Sequence, residues 1–432
     1  MFDRDVEIAR AIRSHDDRSP HLKRVVLQWA KNSSRYCVEI QKILRGISDP
    51  LVAVQSTDPY VLKEIKRDNI KMSTMTDLLA QARKDDIKLS TDVLAGLPGE
   101  TLESHFNTLR DVFAMGFGHF NVGQIRLLPG SEMESEEQRA KYKLKTAFRL
   151  IAGFSGVYGG EPVAEFEECV VETSTMSRDN MFTLRVVHFL SWALWNSGFA
   201  QPLLRYMFHH QGINPLDVVL GFLSDDLPPP VRRLMEDYIA EARDEWFETA
   251  DDLDRYFKAN ADRILGAESV KLNLKYLARI LLDREIGQGV MDVVKRRCDE
   301  TVREELASFC LERTIFINQR RPVKQFTYSP ALVAALATVY PAVKGDANGL
   351  CTFRLDKKFM HSLDFELERF KFSENPLCSL ALTLSAYGNM FYYDFSFGEA
   401  FHTVEGQTAF DSFDYATQWK TAATAGAPSG SA

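Results

Sequence analysis

The run Gly96-Leu97-Pro98-Gly99-Glu100-Thr101 has the composition of a ligand-binding turn between a strand and a helix. Glycine permits close approach of a ligand to the backbone, and the N-terminus of a helix favours anionic groups. The run is not a phosphate-binding P-loop, because that motif requires a lysine that is missing here. A tight turn that only connects the strand to the helix explains the same residues, so both interpretations stay open.

Three polar residues lie at or near the strands of the first 100 residues. Gln55 closes the apolar run 51–54, where it could hydrogen-bond ligand hydroxyls, and Arg67 follows twelve residues later on the next helix. An arginine in that place can bind a carboxylate through two parallel hydrogen bonds. The alternatives are a turn cap for Gln55 and a surface charge for Arg67. Asp92 lies inside the apolar segment 87–95, where a carboxylate is costly to bury unless it is paired, so it is either a ligand contact or a structural partner.

A histidine pair and an acidic cluster are weaker candidates for metal ligands or acid–base groups, and a tryptophan pair is a weaker candidate for a substrate platform. They are His209, His210, Trp192, Trp195, Glu165, Glu167 and Glu168. Adjacent histidines point in different directions on a helix, so we do not expect them to share a metal ion. The glutamates have no partner at a defined spacing and favour a solvated face. The tryptophans are three apart, a spacing that is typical of a buried helix face.

The cysteines carry no metal or redox motif. They are Cys37, Cys169, Cys298, Cys310, Cys351 and Cys378. The closest two are twelve residues apart, so neither a CxxC nor a zinc-ribbon spacing occurs. We therefore expect buried thiols in a reducing cytosol, and a cytoplasmic protein.

The elements that must position these residues alternate between strands and helices over the first 130 residues. The pattern predicts strands at 24–30, 51–54, 87–95 and 119–128, and helices at 3–14, 33–44, from the mid-fifties to about 85, and after Thr101. Strands and helices that alternate with short loops indicate parallel βα units, and so an α/β fold.

Beyond residue 135 the pattern changes to mostly helical. It predicts helices at 141–156, 179–210 and 331–340, and Pro228-Pro229-Pro230 is the best boundary candidate. We therefore predict a first domain over 1–131, a helical extension over 132–227, an α+β domain over 228–420 and a disordered tail over 421–432.

Composition excludes several classes of protein. The chain has 432 residues, with 52 basic against 60 acidic side chains and a net charge of −8, which argues against a nucleic-acid partner. The longest apolar stretch, 331–343, has thirteen residues, too few to span a bilayer. No apolar segment follows the charged N-terminus, so we expect a soluble protein with no membrane partner.

Taken together, the runs resemble the radical SAM enzymes, in particular the group with a cobalamin-binding domain. The matching stretches are VAVQSTDPYVLKEIKRDNI, LSTDVLAGLPGETLESHFNTL and HFNVGQIRLLPGSEM, and GEPVAEFEECVVETSTMSRDNM at 160–181 is similar to the post-barrel region of that group. Each run alone is weakly specific, but their order is fairly specific. The resemblance implies that residues 1–131 are strands 3 to 6 of a partial (β/α)6 barrel.

The resemblance also implies roles for individual residues in binding S-adenosylmethionine. Gln55 matches the residue that contacts its ribose or methionine part, and Arg67 matches the one that binds its carboxylate. Asp92 matches a polar residue near the ribose. Gly96 and Leu97 match the turn that passes the adenosine.

Two further residues match the end of the family's sixth strand. Gln124 and Arg126 fall where the family lines the adenine and substrate side. No residue of this chain is assigned a catalytic role.

The cysteine spacing conflicts with the resemblance. The family's chemistry needs a [4Fe–4S] cluster on a CxxxCxxC motif, which cleaves S-adenosylmethionine to a 5′-deoxyadenosyl radical, and this sequence has no such motif. The first two barrel strands and the cobalamin domain are missing too. A segment like FDRDVEIARAI follows the second strand in the family, so we expect that the chain starts at an internal methionine of a longer enzyme. The alternative is a genuine short protein, with the missing parts discarded or supplied by a partner chain.

Two functions follow as hypotheses. The first is the C-terminal part of a radical SAM enzyme that transfers a methyl group through cobalamin, or rearranges, a small-molecule or other unknown substrate. The second is a cluster-free binding or interaction protein built on a degenerate half barrel.

Overall fold

The computed structural model describes residues 3–18, 25–28, 34–44, 47–67, 75, 77–80, 89–224, 226–265, 272–319, 323–339 and 350–354. Its first elements are α1 (Asp3–Arg18), β1 (Val25–Gln28), α2 (Ser34–Ile43), β2 (Ser48–Leu51), α3 (Pro59–Glu64), β3 (Ser90–Ala95), α4 (Leu102–Met115) and β4 (His119–Gln124). The four strands form one parallel sheet in chain order. Parallel neighbours joined by helices confirm the predicted mixture of strand and helix.

The burial pattern of β3 separates the two faces of this sheet. Thr91, Val93 and Ala95 are buried, and the residues between them are half-buried. Val93 lies in the same apolar cluster as Leu109 and Val112 of α4, so the buried face is the one that α4 covers. Asp92 therefore projects from the opposite face, since successive side chains alternate along a strand.

The second strand lies three residues before its predicted position. β2 ends at Leu51, and the predicted run 52–54 continues beside β3 without regular pairing. The Thr91 hydroxyl enters the ladder there, donating to the Val52 carbonyl (2.7 Å) and accepting from the Val54 amide (3.1 Å). Hydrophobicity indicated which residues are buried, but not this side-chain insertion.

A long hairpin follows the sheet. A 3₁₀ turn (Glu132–Glu134) and α5 (Glu136–Tyr142) lead into β5 (Lys145–Tyr158), which pairs with β6 (Glu161–Glu172) in antiparallel fashion. The prediction of a helix over 141–156 is wrong, and the segment 132–227 is not helical throughout. Gly159 and Gly160 adopt φ angles of 61° and 90°, which glycine tolerates and which lets the chain reverse into its partner strand. The helical spacing of β5 is overridden by that pairing.

The rest of the described chain is largely helical. Its elements are α6 (Arg178–Ser191), a π-helix (Trp192–Asn196), α7 (Gln201–Gln211), α8 (Pro215–Ser224), α9 (Pro229–Asp244), α10 (Ala250–Ala259), α11 (Ala261–Leu265), α12 (Leu272–Leu282), α13 (Arg284–Lys295), α14 (Arg303–Gln319), β7 (Val323–Thr327), α15 (Pro330–Val339) and β8 (Leu350–Arg354). The helical prediction for 179–210 is confirmed except at 197–200, where the chain breaks between the π-helix and α7, and the helix predicted at 331–340 is confirmed as far as Val339. The proline triplet stands at the start of α9, and the domain boundaries stay predictions.

One large apolar cluster joins the parallel sheet to the later helices. It extends from Val52 beside the sheet, through α6 to α9, to Leu336 on α15. Of the six thiols, those of Cys169, Cys298 and Cys310 are buried, as expected, and the other three side chains lie outside the described residues, as does the predicted tail. No helix in the described ranges combines the length and apolar character that crossing a bilayer requires.

The outer edge of β4 is covered by the π-helix and its neighbours. The Asn196 side chain accepts from the Phe120 amide (3.2 Å) and donates to the Phe120 carbonyl (2.5 Å). Just before β4, the Gln201 side-chain amide donates to the Gly118 carbonyl (3.0 Å) and the Trp195 indole donates to the Phe117 carbonyl (3.2 Å). Beyond the end of β4, the Val170 amide of β6 donates to the Ile125 carbonyl (3.0 Å), so the hairpin continues the cover.

Candidate functional site

Gln55 is held in a strained conformation beyond the end of β2. Its φ of 62° is in the left-handed region, which is unfavourable for a residue with a side chain. Its amide donates to the Asp92 carbonyl (2.7 Å) and its carbonyl accepts from the Leu94 amide (3.0 Å). The Thr108 hydroxyl of α4 accepts from the Thr57 amide and so fixes the following residues. Such strain is concentrated at functional sites, which agrees with the predicted ligand contact.

Arg67 lies half-buried beside the same strand end. Its Nη2 donates to the Ala53 carbonyl (3.3 Å), and its buried Nε has no hydrogen-bond partner. Among the described residues, no carboxylate lies within ion-pair distance of it, and burial lowers the pKa of the guanidinium. The surface-charge alternative for Arg67 therefore does not describe its environment.

Asp92 has a polar partner on the adjacent strand. The Asn121 side-chain amide donates to Asp92 Oδ1 (2.9 Å), and the two residues are paired in the register of β3 and β4. Asp92 is half-buried and Asn121 is exposed, on the face away from α4. One carboxylate oxygen thus remains available to a ligand on that face.

The turn after β3 is held by Glu100. One carboxylate oxygen, Oε2, accepts from the Gly96 amide (2.8 Å) and from the Leu97 amide (3.2 Å). The Thr101 and Ser104 side chains form a capping box that starts α4 immediately afterwards. The amides that could bind an external anion therefore already bind Glu100, and a cofactor would contact other atoms of Gly96 and Leu97.

Two side chains of this protein pack closely against the glycines of the turn. A Cβ at Gly99 would lie 2.5 Å from the Tyr60 ring, and one at Gly96 would lie 3.0 Å from the Met181 methyl group. Both glycines also have positive φ angles. Substitution by a larger residue is therefore strained at either position, whether or not a ligand is bound.

A hydrogen-bonded chain of three side chains extends from this turn: Glu100, His105 and the half-buried His188. The second oxygen of Glu100 accepts from His105 Nδ1 (2.8 Å), and His105 Nε2 lies 2.9 Å from His188 Nε2 on α6. Glu100 and His105 are fully buried. Burial is the largest of the effects that lower the pKa of His188 well below its ordinary value, followed by the charges of His105 and Arg185.

Gln124 and Arg126 are directed to the hairpin. The Gln124 side chain donates to the Val170 carbonyl (2.6 Å), and Arg126 Nε lies 2.8 Å from a Glu167 oxygen. Glu167 also accepts from Arg149 Nε at 2.5 Å. The structure therefore places both predicted residues next to β6 and not beside Gln55 and Arg67.

The expectation of a solvated face is wrong for two of the three acidic residues. Glu167 is shared by two arginines, and Glu168 binds Arg139 through two hydrogen bonds of 2.7 and 2.9 Å. The Arg139 hydrogen bonds are the main cause that holds the pKa of Glu168 below its ordinary value. Their partners lie 18 to 41 residues away in the sequence, beyond any spacing rule. Only Glu165 is exposed, as expected.

The remaining candidates are structural. His209 and His210 are exposed and contact the rings of Phe208 and Tyr206. Trp195 is buried, which confirms its predicted place in the core. Across the described ranges, no three His, Cys, Asp or Glu side chains gather as a metal site would require.

Four polar residues of the region had not been identified from the sequence. They are Glu100, His105, Asn121 and His188. Asn121 could have been found, because it is a polar residue in register with Asp92 on a neighbouring strand. Glu100 precedes the N-cap residue Thr101, and His105 is the fourth residue of α4; side chains at these two positions commonly contact each other. His188 lies 83 residues from its partner and left no local signal.

Five of the predicted residues are thus brought to the ends of two adjacent strands: Gln55, Arg67, Asp92, Gly96 and Leu97. The arrangement offers a half-buried carboxylate, a glutamine at a strand end and a guanidinium that has no carboxylate partner among the described residues. These groups can bind a ligand that carries both a carboxylate and hydroxyl groups.

Comparison with known proteins gives partial matches and no family assignment. No family model matches the chain. Over 187 residues it is 30% identical to a 2-(S-pantetheinyl)-carbapenam-3-carboxylate methyltransferase of Streptantibioticus cattleyicolor. It is 29% identical, also over 187 residues, to the cobalamin-dependent radical SAM methyltransferase TokK of Streptomyces tokunonensis. Each match covers 41% of this chain and 27% of the relative, so the chain spans about a quarter of the length of the curated relatives it matches.

Proposed function

We propose that this chain supplies the S-adenosylmethionine-binding part of a cobalamin-dependent radical SAM methyltransferase. By name, one relative belongs to that group and both relatives are methyltransferases, which favours methyl transfer over rearrangement. The same group is the one that the sequence motifs resemble. The substrate that we propose is a small molecule.

The main support for the proposal is that the half-buried Arg67 has no carboxylate partner among the described residues. A half-buried guanidinium normally lies against a carboxylate, because burial of an unpaired charge is unfavourable. Among the described residues, Arg67 has a single backbone acceptor and its buried Nε has no partner. The carboxylate of the methionine part of S-adenosylmethionine would supply the missing partner, with a planar pair of hydrogen bonds.

The neighbouring residues fit the rest of the same ligand. Gln55 would donate to or accept from the ribose hydroxyls or the methionine group. The free oxygen of Asp92 would accept from a ribose hydroxyl, while Asn121 holds the other. We further propose that β1 to β4 are strands 3 to 6 of a partial (β/α)6 barrel, which their parallel pairing in chain order supports.

The iron–sulfur cluster of such an enzyme does not fit the residues of this chain. The sequence has no CxxxCxxC motif, and the cysteines whose side chains the structure describes are the separate, buried Cys169, Cys298 and Cys310. We therefore propose that the cluster ligands and the cobalamin site belong to polypeptide outside these 432 residues. The cluster, when bound, supplies the electron that cleaves S-adenosylmethionine; this chain's own residues bind and orient that molecule.

Binding measurements with two ligands test the proposal. Isothermal titration would compare S-adenosylmethionine with decarboxylated S-adenosylmethionine, which lacks only the group assigned to Arg67. The Arg67→Gln substitution should weaken binding of S-adenosylmethionine by about tenfold or more, the effect of one charge-assisted hydrogen bond. Binding of the decarboxylated ligand should change little.

The neighbouring Lys66 provides the matched control. It is exposed and pairs with Glu132, so Lys66→Gln removes the same charge without touching the site. Equal losses for both ligands in the Arg67 variant, or equal losses in the two variants, would contradict the proposed carboxylate contact.

A binding protein without cluster chemistry is the second candidate, and the covered edge of β4 is the observation that favours it. A half barrel that functions alone must protect its sheet edges. This candidate predicts that the isolated chain stays monomeric, or forms a discrete complex, in light scattering. Aggregation of the isolated chain, relieved in a longer polypeptide, would exclude it.

A further inference from the structure

The side chains of Glu100, His105 and His188 form a hydrogen-bonded chain from the turn after β3 to helix α6. His188 lies 83 residues after His105 in the sequence. The hydrogen-bonded chain crosses three elements: the turn itself, α4 and α6. Neither histidine touches the groups assigned to the cofactor. We infer that His105 and His188 are positioning residues, which fix the Gly96–Leu97 turn from α6 and thereby set the affinity for the adenosyl part of S-adenosylmethionine. This inference rests on the proposed function.

The Glu100 side chain is the common hydrogen-bond acceptor of the turn and of His105. Its carboxylate is fully buried and accepts three N–H groups, from Gly96, Leu97 and His105. Its amide donates to the Leu97 carbonyl (3.0 Å) as well. The position of the two turn amides therefore depends on where the Glu100 side chain is held.

His105 alone cannot hold the Glu100 carboxylate in place. Nδ1 donates to the carboxylate, and Nε2 on the far side of the ring must have its own partner in this buried setting. His188 Nε2 is that partner, and one proton lies between the two nitrogens. Since His188 is neutral at neutral pH, it can complete the pair without a second charge in the interior.

Helix α6 and the segment before it also contact the turn independently of His188. The Met181 methyl group, two turns before His188 on the same helix, covers the face of Gly96 where a Cβ would stand. The Thr175 hydroxyl, which precedes α6, donates to the Glu100 carbonyl (2.6 Å). The segment 173–191 thus holds the turn at three points, which are Thr175, Met181 and His188.

Amide hydrogen exchange on the full chain tests the link in the absence of any ligand. In the His188→Phe variant, which keeps a ring but has no donor or acceptor, the peptide containing Gly96 and Leu97 should exchange about tenfold faster. His188→Gln places an amide group near the lost Nε2 and should restore the rate to within about threefold of the wild type. His15→Gln, at the exposed end of α1, is the control.

A second variant separates the hydrogen bond from the packing of α6. His105→Asn keeps a donor near Nδ1 for Glu100 but cannot reach His188, so it should accelerate exchange as His188→Phe does. Unchanged exchange in both folded variants overturns the inference. So does a His188→Gln variant that behaves like His188→Phe, because packing alone would then explain the effect.

Titration with S-adenosylmethionine completes the test. The variants that accelerate exchange should raise the Kd about tenfold, and decarboxylated S-adenosylmethionine should be affected equally, since the turn faces the adenosyl part. Faster exchange with an unchanged Kd overturns the link to the cofactor. If the wild type binds neither ligand, the proposed function fails, whereas the exchange result still decides whether His188 fixes the turn.

Discussion

Glu167 is the carboxylate that two guanidinium groups share. Arg149 is mostly buried and packs over the Trp246 ring, while the Arg126 side chain is 54% exposed. Neutralising Glu167 would leave two positive charges without their common partner. Removal of one member of a buried ion pair typically costs about 3–5 kcal/mol, and the exposure of Arg126 reduces this.

We therefore expect Glu167→Gln to lower the free energy of unfolding by about 2–3 kcal/mol. Urea denaturation followed by circular dichroism would measure it. Glu165→Gln is the matched control, because it lies two residues away on the same strand and is exposed. A loss for Glu167→Gln no larger than that of the control would show that solvent compensates the two arginines.

His188 makes stability depend on pH in a defined direction. Its pKa in the folded chain lies well below 6.5, so below about pH 6.5 the unfolded chain takes up a proton that the folded chain does not. The stability that neutral His188 contributes to the fold is fully present above about pH 6.5. It is lost as the pH falls from there toward the lower pKa of His188 in the folded chain.

In urea titrations, the wild type should lose up to about 1.4 kcal/mol more per pH unit than His188→Gln as the pH falls below 6.5. The two proteins should respond alike between about pH 7 and 8. Parallel stability curves across both ranges would mean that His188 has an ordinary pKa.

The residue types of the site were predictable, but their partners were not. Arg67 and Asp92 stood out because a charge beside or inside an apolar strand needs a partner. The glycine run suggested an anion site, whereas its amides bind Glu100. The histidines and Glu167 take partners from distant segments, and such distances leave no periodicity in a sequence.

At the scale of elements, the π-helix protects the edge of the sheet. Asn196 is buried and satisfies both backbone groups of Phe120 with one side chain. A regular α-helix would shift the residues that follow by one position and turn Asn196 away from β4. The irregular turn is therefore what lets a side-chain amide stand in for a neighbouring strand.

The Asn196→Leu substitution keeps the approximate volume and removes both hydrogen bonds. Two buried backbone groups then lack partners, so we expect a loss of about 2–4 kcal/mol in the free energy of unfolding. Exchange of the Phe120 amide should accelerate at the same time. A stable Asn196→Leu variant with a protected Phe120 amide would indicate that another group or water covers the edge; Asn260→Leu, on an exposed turn, gives the baseline.

The alternation of strands and helices up to β4 was predictable because local pattern and global pairing agree there. β5 was not, since its pairing with β6 depends on the reversal at Gly159 and Gly160 and not on its own spacing. The shift of β2 has a similar origin, because the Thr91 hydroxyl replaces backbone pairing at Val52 and Val54.

At the scale of the whole molecule, the sheet and the later helices share one apolar cluster. Val52 and Val93 beside the sheet, Phe189 on α6 and Leu336 on α15 all belong to it. A boundary predicted from a proline triplet cannot reveal such sharing, because prolines mark local breaks in a helix and not the limits of a core.

The chain as a whole should not assemble an iron–sulfur cluster. Anaerobic reconstitution with iron and sulfide should give, after desalting, far less than one [4Fe–4S] cluster per chain by absorbance and iron content. The reason is that no CxxxCxxC motif is present to hold it. A stoichiometric absorption band that persists after chelation, and is lost in Cys-to-Ser variants, would contradict this prediction.

The position of Asn196 also has a consequence for synthesis on the ribosome. It follows Phe120 by 76 residues, so the side chain that closes the edge of β4 is made after the whole hairpin and α6. At a synthesis rate of about 5–20 residues per second, Asn196 is added about 4–15 s after Phe120. During that interval the outer edge of β4 is unpaired on a tethered chain and is open to pairing with neighbouring nascent chains on the same messenger. Slower translation between β4 and the π-helix should therefore lower the yield of folded protein, and a chaperone that shields strand edges should restore it.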